Sequence, residues 1–467
     1  MFDAAQPPAF RATNPSRLAR AGDWLRRHQT AIRRLQWGVV AIYGVLLVGP
    51  NLLPLPDRAA HVWNDLTLFA QFVFWGIWWP GVLLSMLVFG RLWCGLFCPE
   101  GALTEAASRH GIGRAVPRWM RWQGWPFAAF VMTTVYGQMV SVYQYPGPAL
   151  VVLGGSTVAA VVVGWLYGRN HRVWCRYLCP VSGVFGLLAK LAPMHYAANP
   201  AAWAATPAKA GRTTAVNCAP LVVLKGLDSA SPCHMCGRCA GFRDAIELRG
   251  RKPGAEVVAS AGKATVWDSL LILTGLMGVA TGAFLWASSP WFIALKLWLA
   301  DRLVNAGVLW PLEARMPWWV LTDYPDRNDV MTLLDGVAML GFIGGTAVAM
   351  TLTLGLPLAL AARIGGRGLW PRLHHLVLGL LPLAAAGVIL GLSAQTVTLL
   401  RADGFRLLWV PEARLAVLAL AAGWSLLLFW QVAGRHVAGV RRAAMSAAAS
   451  LSIAVALVPW HLLFQVW

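Results

Sequence analysis

Eight cysteines fall into three short groups of the sequence, and each group lies beside an apolar stretch rather than inside one. Two groups share the pattern Cys-x-x-x-Cys-Pro, and the third is a single cysteine followed by Cys-x-x-Cys-x-x-Cys. The groups are Cys94 and Cys98, Cys175 and Cys179, and Cys218 with Cys233, Cys236 and Cys239. Thiolates at these spacings are typical of iron–sulfur clusters, each of which is usually held by four cysteines. Eight thiols are enough for two such sites, so the sequence predicts cluster binding and electron transfer.

The third group has the spacing of the first three ligands of a bacterial ferredoxin run. In that run a fourth cysteine stands four positions after the third, but here the position is occupied by Arg243, which cannot ligate iron. Cys218 is the remaining thiol of the same segment, and we expect it to be the fourth ligand. A zinc ion held by the same four thiolates and a segment without metal are the alternatives.

In the other two groups a proline comes directly after the second cysteine, at Pro99 and Pro180. Proline is favoured at the first position of a helix, so we expect Cys98 and Cys179 to lie close to helix N-caps. The helix dipole and the free amide groups there would stabilise a thiolate. Four thiols brought to one surface in this way would form a second four-sulfur site. Copper or another soft metal, a redox-active dithiol and small buried residues without metal are the alternatives.

The composition is that of a membrane protein. Of 467 residues, 58% are hydrophobic and 12% are charged, whereas soluble domains average about 25% charged residues. A bilayer core requires about 20 apolar residues per helix, and the hydropathy pattern predicts an all-α integral membrane protein with nine spans. The predicted spans are approximately 35–53, 66–90, 124–145, 149–168, 267–287, 330–362, 374–400, 412–433 and 446–466. No cleavage pattern is found after the first span, so we interpret it as retained.

The net charge of +20 is unevenly distributed. If the N-terminus is cytoplasmic and the spans alternate, 31 of the 39 Lys and Arg residues fall on the cytoplasmic side. This is the positive-inside bias of membrane proteins, which accounts for most of the basic excess and argues against nucleic-acid binding. The prediction is therefore N-in/C-out in a bacterial inner membrane. All eight cysteines then face the cytoplasm, where thiols stay reduced.

The order of these features predicts four segments and an internal repeat. Two helical hairpins end in the same turn, and the repeat pairs Gly90-Arg91 and Trp93-Cys94 with Gly168-Arg169 and Trp174-Cys175. Asp335, about one turn inside the sixth span, is a further functional candidate unless it lies at the wet boundary. The predicted segments are a basic cytoplasmic N-terminal segment 1–34, a four-helix membrane domain 35–192, a cytoplasmic ferredoxin-like cluster-binding segment 193–266, and a five-helix membrane domain 267–467 with an outside loop 288–329.

The paired Cys-x-x-x-Cys-Pro hairpins and the cysteine-rich loop resemble the NapH/NosR/CcoG group of bacterial membrane polyferredoxins. The resemblance covers roughly residues 35–245. It implies electron transfer through [4Fe–4S] clusters. Cys94, Cys98, Cys175 and Cys179 match the membrane-surface motifs of the group, and Cys233, Cys236 and Cys239 match its ferredoxin motif. Members of the group usually have two complete ferredoxin runs, whereas this chain has one that lacks the terminal Cys-Pro. The five-span second half is also absent from the short members.

The chain is most similar to the ferredoxin-like membrane subunit of ferrous iron uptake (Ftr-type) systems. That resemblance implies an electron carrier rather than a stand-alone enzyme, with a membrane permease or a periplasmic metalloprotein as partner. Because every predicted cluster is cytoplasmic and the membrane core is about 30 Å thick, exchange with the outside would require a relay such as a quinone. The alternatives are a copper or metal reductase, an assembly factor of the CcoG or NosR kind, and a transporter with a structural cluster.

Overall fold

The computed structural model describes residues 16–57, 59–206, 216–366 and 368–467, and the chain so described is mostly helical. Residues 1–15 of the predicted N-terminal segment and residues 207–215 of the predicted cluster-binding segment lie outside the described residues. The helices are α1 (Arg17–Arg27), α2 (Gln29–Val48), α3 (Leu66–Gln71), α4 (Trp79–Phe89), α5 (Leu92–Leu96), α6 (Pro99–Arg109), α7 (Trp125–Met139), α8 (Pro146–Ala149), α9 (Gly155–Tyr167), α10 (Val173–Tyr177), α11 (Ser182–Ala189), α12 (Pro200–Ala205), α13 (Ala255–Ala259), α14 (Val266–Leu270), α15 (Thr281–Leu285), α16 (Pro290–Asn305), α17 (Trp310–Glu313), α18 (Leu333–Ile364), α19 (Leu369–Val377), α20 (Leu381–Ala402), α21 (Val410–Ala433) and α22 (Gly439–His461).

Eight helical segments among the described residues are long and apolar enough to cross a membrane. Several of them combine α-helix with a π-helical or 3-10 stretch. They are Gln29–Leu52, Leu66–Phe89, Pro146–Tyr167, Val266–Ser288, Leu333–Ile364, Leu369–Ala402, Val410–Ala433 and Gly439–Val466. Each overlaps one of the nine predicted spans, which supports a multi-pass membrane protein. The nine-span count and the N-in/C-out orientation stay predictions.

The predicted third span, 124–145, is the one without a counterpart among those eight. It contains α7, which has only 15 residues. The helix ends at Met139 because the chain turns there, and Ser141 has a left-handed φ of 51°. The apolar composition of the region hides this turn from a hydropathy plot.

Two small antiparallel sheets correct the all-α prediction. Strand β1 (Met194–Ala198) pairs with β2 (Ile246–Gly250), with Tyr196 opposite Leu248. Strand β3 (Asp323–Tyr324) pairs with β4 (Asp329–Val330). The first pair joins strands from either end of the cysteine-rich segment, a long-range pairing that short sequence patterns do not reveal.

The chain forms two compact units, each assembled from three stretches of sequence. The first contains the residues up to Gly44, Leu84–Trp122 and Thr157–Glu256, and the second contains Val45–Leu83, Gln123–Ser156 and Val257–Trp467. All eight cysteines belong to the first unit. In that unit β1 and β2 provide a core of Tyr196, Ile246 and Leu248, which packs against Cys233 and Cys239.

In the second unit, Asp335 has a structural role that the sequence analysis did not assign. Its carboxylate Oδ2 accepts hydrogen bonds from the backbone N and the Oγ1 of Thr332, both at 2.9 Å, and Thr332 Oγ1 accepts from the backbone N of Asp335. Lys296 forms an ion pair with the same carboxylate. This capping box starts α18 and satisfies amide groups that the first turn leaves unpaired.

Candidate iron–sulfur site

The Cys-x-x-Cys-x-x-Cys loop lies between β1 and β2 and is wound tightly around its thiols. Met235 and Gly237 have φ values of 54° and 80°, in the left-handed region. A Cβ atom on Gly237 would lie 2.5 Å from the Cβ of Leu25 in α1, so this position requires glycine. The Sγ of Cys233 accepts a hydrogen bond from the backbone N of Met235 at 3.4 Å. Strand pairing and α1 thus hold the loop in a fixed shape.

All four cysteines of the third group line one cavity. The side chains of Cys218, Cys233, Cys236 and Cys239 surround it together with Tyr196, Val222, Leu224 and His234. The structure therefore places Cys218 at the same cavity as the other three cysteines, and its role as the fourth ligand stays a prediction. Arg243 is used elsewhere, because its guanidinium donates to the backbone O of Trp203 and stacks over the Trp203 ring at 5.2 Å.

The two Cys-x-x-x-Cys-Pro turns have the same backbone geometry. In the first, the amides of Phe97 and Cys98 both donate to Trp93 O, at 2.9 and 3.0 Å. In the second, the amides of Leu178 and Cys179 donate to Trp174 O at the same distances. The short helices α5 and α10 carry the first cysteine of each pair. The two turns of the internal repeat therefore share the same backbone hydrogen bonds.

The two turns differ in the structure that comes after the second cysteine. Cys98 is the N-cap of α6, with Pro99 at its first position, and Cys98 Sγ accepts from the backbone N of Gly101 at 3.4 Å. This confirms the prediction for the first motif. In the second motif α11 begins only at Ser182 and its N-cap is Val181. The predicted N1 position of Pro180 is wrong, since a further turn intervenes between Cys179 and the helix.

The repeat also identifies two buried arginines. Arg91 is the N-cap of α5 and Arg172 is the N-cap of α10, and each lies three residues before the first cysteine of its motif. Arg172 is therefore the counterpart of Arg91, whereas the sequence analysis paired Arg91 with Arg169. Arg91 donates to Ser231 O at 2.9 Å and to Ser182 Oγ at 3.0 Å. The common pattern Arg-x-Trp-Cys was the signal that could have found Arg172.

Burial governs the protonation of the thiols. It raises the pKa of Cys175 and of Cys233 to about 12, in Cys175 against the opposing charge of Arg172. Burial also raises the pKa of Cys98, and the neighbouring Cys94 and Cys175 add to this effect. The pKa values of three further thiols are raised chiefly by burial, those of Cys179, Cys218 and Cys239. Without a bound cation these six groups are protonated at neutral pH.

The two sets of cysteines lie against each other. A Cβ atom on Gly95 would lie 2.2 Å from the backbone O of His234 and 3.0 Å from the Cα of Cys236. The loops that carry Cys94 and Cys236 are therefore in direct backbone contact. The side chain of Gln36 donates to Gly95 O at 2.8 Å, which fixes this approach from α2.

Two buried guanidinium groups lie beside the cysteines of the first unit, and one of them is paired with a buried carboxylate. Arg91 and Arg172 are the buried arginines, and Glu105 forms an ion pair with Arg172. Five nitrogen atoms of the first unit are buried without a hydrogen-bond partner in the described part of the chain: Arg91 Nε, His171 Nδ1, Arg172 Nη2, His195 Nδ1 and His234 Nδ1. A buried charge or donor without a partner is costly. An anionic group with sulfur acceptors would meet both needs.

The donor set therefore fits an iron–sulfur cluster. Within the described ranges, no group of three or more His, Cys, Asp or Glu residues is arranged to hold a metal ion. The fit rests on four thiols around one cavity, on the repeated turns and on the unpaired N–H groups. Thiolates bound to iron would offset the charge of the buried guanidinium groups.

Comparison with known proteins identifies the same two Cys-x-x-x-Cys-Pro turns. Residues 71–121 and 150–196 match the family described as 4Fe-4S binding domain, and each stretch contains one Cys-x-x-x-Cys-Pro turn. The match supports an iron–sulfur cluster and a protein class of membrane ferredoxin type. It does not extend to the loop 218–239.

Two curated proteins are similar to parts of the chain. Protein NirI of Paracoccus denitrificans is 31% identical over 134 residues, which are 24% of this chain and 19% of NirI. The methylamine utilization ferredoxin-type protein MauN of Methylorubrum extorquens is 25% identical over 130 residues, which are 25% of this chain and 45% of MauN. The chain thus spans less than half the length of either relative. No solved structure matches it.

Proposed function

We propose that this protein is a membrane-bound electron carrier with two [4Fe–4S] sites. Cys218, Cys233, Cys236 and Cys239 would hold one cluster, and Cys94, Cys98, Cys175 and Cys179 the other. The observation that carries the proposal is the pair of buried guanidinium groups with unpaired N–H atoms among eight cysteines. The match of both Cys-x-x-x-Cys-Pro turns to the 4Fe-4S binding domain supports it.

A [4Fe–4S] cluster takes up and releases single electrons. The chain would supply the thiolates, keep water away from them and donate N–H groups toward sulfur. Such donors and nearby positive charge raise a reduction potential because they stabilise the added electron. Arg91, Arg172 and the backbone N of Gly101 are the groups placed to do this.

The wider pathway is part of the same proposal. The distribution of Lys and Arg supports clusters on the cytoplasmic side of a bacterial inner membrane. Electrons would pass between these clusters and a quinone or a periplasmic metal-handling partner, with a membrane permease in ferrous iron uptake as the proposed setting. The resemblance to the uptake subunit and the cysteine-free second unit support this setting.

The decisive experiment measures iron and acid-labile sulfide in the full-length protein, purified without oxygen, together with EPR spectra after reduction. We expect about eight irons per chain. The variants Cys98→Ser and Cys239→Ser should each retain about four, and should each lose a different EPR signal. Protein that is free of iron but binds Cu(I) through Cys94, Cys98, Cys175 and Cys179 would overturn the proposal in favour of copper handling.

A further inference from the structure

One carboxylate connects the two cysteine sets. Glu105 lies in α6, seven residues after Cys98, and its side chain is 9% exposed. Its Oε2 accepts from Arg172 Nε at 2.9 Å and its Oε1 accepts from Arg238 Nη2 at 2.7 Å. Arg238 lies between Cys236 and Cys239, so one acid contacts an arginine from each set.

Arg172 has contacts with both sets as well. Its Nη1 donates to the backbone O of Cys94 at 2.5 Å, and its backbone N donates to the O of Ala219, next to Cys218, at 2.7 Å. A Cβ atom on Gly101 would lie 3.0 Å from Nη1, so a glycine after Cys98-Pro99-Glu100 makes room for the guanidinium. The side chain is 1% exposed.

Arg172 also has an unused donor. Nη2 is buried and has no hydrogen-bond partner among the residues described. Nε and Nη1 are fixed by Glu105 and Cys94, so the guanidinium cannot turn to satisfy Nη2 without losing those bonds. The guanidinium of Arg172 therefore keeps its orientation while Nη2 remains free to donate. Nη2 is placed to donate to an acceptor that is not part of the protein chain.

We infer that Arg172, Glu105 and Arg238 form an electrostatic bridge that sets the reduction potentials of both four-cysteine sites together. This inference rests on the proposed function. Charges in a buried site act over longer distances than in water, because neither solvent nor salt screens them well. The contact of Gly95 with His234 and Cys236 brings the second set within reach of the same charges.

The bridge predicts the direction in which each substitution shifts the midpoint potentials. Removal of the Arg172 charge disfavours an added electron at either site, so Arg172→Gln should lower both midpoint potentials. Removal of the Glu105 charge does the opposite, so Glu105→Gln should raise both. A merely structural role would not produce opposite shifts, because either substitution breaks the same ion pair.

The test is an anaerobic redox titration of the full-length protein in detergent, combined with EPR at each cluster. We expect each variant to change the ratio of reduced to oxidised cluster at a fixed potential by about tenfold, which for one electron is 59 mV. Arg114→Gln, at an exposed arginine of the same unit, is the control and should shift neither cluster. If Arg172→Gln does not fold, Arg238→Gln replaces it, since that side chain is 21% exposed.

The outcomes separate the two proposals. Two loaded clusters whose potentials stay fixed in the variants, or move in the same direction for Arg172→Gln and Glu105→Gln, would overturn the bridge. A shift confined to one cluster would also overturn it. Wild-type protein without iron would instead contradict the proposed function on which the bridge rests.

Discussion

The Nε of Arg172 donates to the Oε2 of Glu105 at 2.9 Å, in an ion pair whose side chains are 1% and 9% exposed. Burial tends to raise the pKa of Glu105, but Arg172 and Arg238 outweigh it and hold that pKa below its usual value. Glu105 is therefore ionised at neutral pH. A buried pair of this kind is weak evidence for stability by itself, yet each partner is costly to remove alone.

The first prediction concerns this pair. Among the described residues, Arg172→Met leaves Arg238 and the more exposed Arg109 as ion-pair partners of Glu105. We expect the lost buried hydrogen bonds to lower the free energy of unfolding by about 1–3 kcal/mol. The double variant Arg172→Met/Glu105→Met should lose less than the sum of the two single losses. Chemical unfolding of the metal-free protein in detergent measures these differences.

The exposed ion pair of Arg315 with Asp323 is the matched control. The Arg315 side chain is 47% exposed, so solvent screens the pair and Arg315→Met should cost less than about 1 kcal/mol. Equal losses in Arg172→Met and Arg315→Met would contradict a special role for the buried pair.

A second prediction comes from the raised thiol pKa values. In each proposed site three thiols are protonated at neutral pH because burial raises their pKa. Metal binding must then displace these protons, so cadmium added to metal-free protein should release about three or more protons per ion. The apparent affinity should rise about tenfold per pH unit for each proton released.

A pH-indicator dye and cadmium titrations between about pH 6 and 8 measure this linkage. The variant Cys239→Ser, which removes one thiol of the loop site, is the control and should release fewer protons. Cadmium binding that does not depend on pH would show that the thiols are already ionised, contrary to their burial.

Gly95 provides a third prediction. An alanine there would place its Cβ 2.2 Å from His234 O, which is a backbone atom and cannot rotate away. We expect Gly95→Ala to push the two cysteine loops apart, at a cost of about 1–3 kcal/mol, and to reduce the iron content. Thermal unfolding and iron analysis report the two effects.

Gly38 in α2 is the control for this substitution. A Cβ atom there meets nothing within 4 Å, and alanine favours a helix over glycine by about 1 kcal/mol. Gly38→Ala should therefore be neutral or slightly stabilising. The steric argument fails if Gly95→Ala behaves like Gly38→Ala.

The fourth prediction concerns the crossing of α7. The carbonyl of Cys94 accepts a hydrogen bond from Arg172, so the two Cys-x-x-x-Cys-Pro turns lie together, and we predict that they face the same side of the membrane. Between them the chain contains α7 and the span Pro146–Tyr167. If both turns face one side, the number of crossings between them is even, and we predict that α7 crosses as well. At 1.5 Å per residue it covers about 22 Å, less than the usual 30 Å core.

Alkaline phosphatase fusions test this topology, because the enzyme is active only outside the cytoplasm. A fusion after Gln144 or after Val308 should be active, and fusions after Arg121 or Lys263 should be inactive. An inactive fusion at Gln144 would exclude a crossing by α7. The opposite pattern at all four positions would invert the predicted orientation.

The apolar helices and the cysteine sets could be predicted from the sequence, since continuous apolar runs and ligand spacing are local properties. The position of Cys218 at the cavity of the loop could also be expected, because it was the one thiol left in its segment. The turn after α7 was not accessible, since Ser141 takes a left-handed conformation within an apolar region. Burial of a charge is a tertiary property, which is why Arg172 and Glu105 were missed.

Asp335 illustrates a signal that was present but interpreted differently. Thr332 and Asp335 have the spacing of a capping box, which is readable from sequence. Because Asp335 is an acidic residue near a predicted membrane span, the sequence analysis favoured a functional role for it. The hydrogen bonds with Thr332 and the ion pair with Lys296 give the residue a structural reason.

The discontinuous first unit constrains how the protein is made. Its three stretches end at Gly44, Trp122 and Glu256, so a ribosome must translate more than half of the chain before all eight thiols exist. By then the intervening stretches Val45–Leu83 and Gln123–Ser156 have already been synthesised and delivered for insertion. Loading of the proposed clusters can therefore be complete only after two apolar stretches of the second unit have left the ribosome.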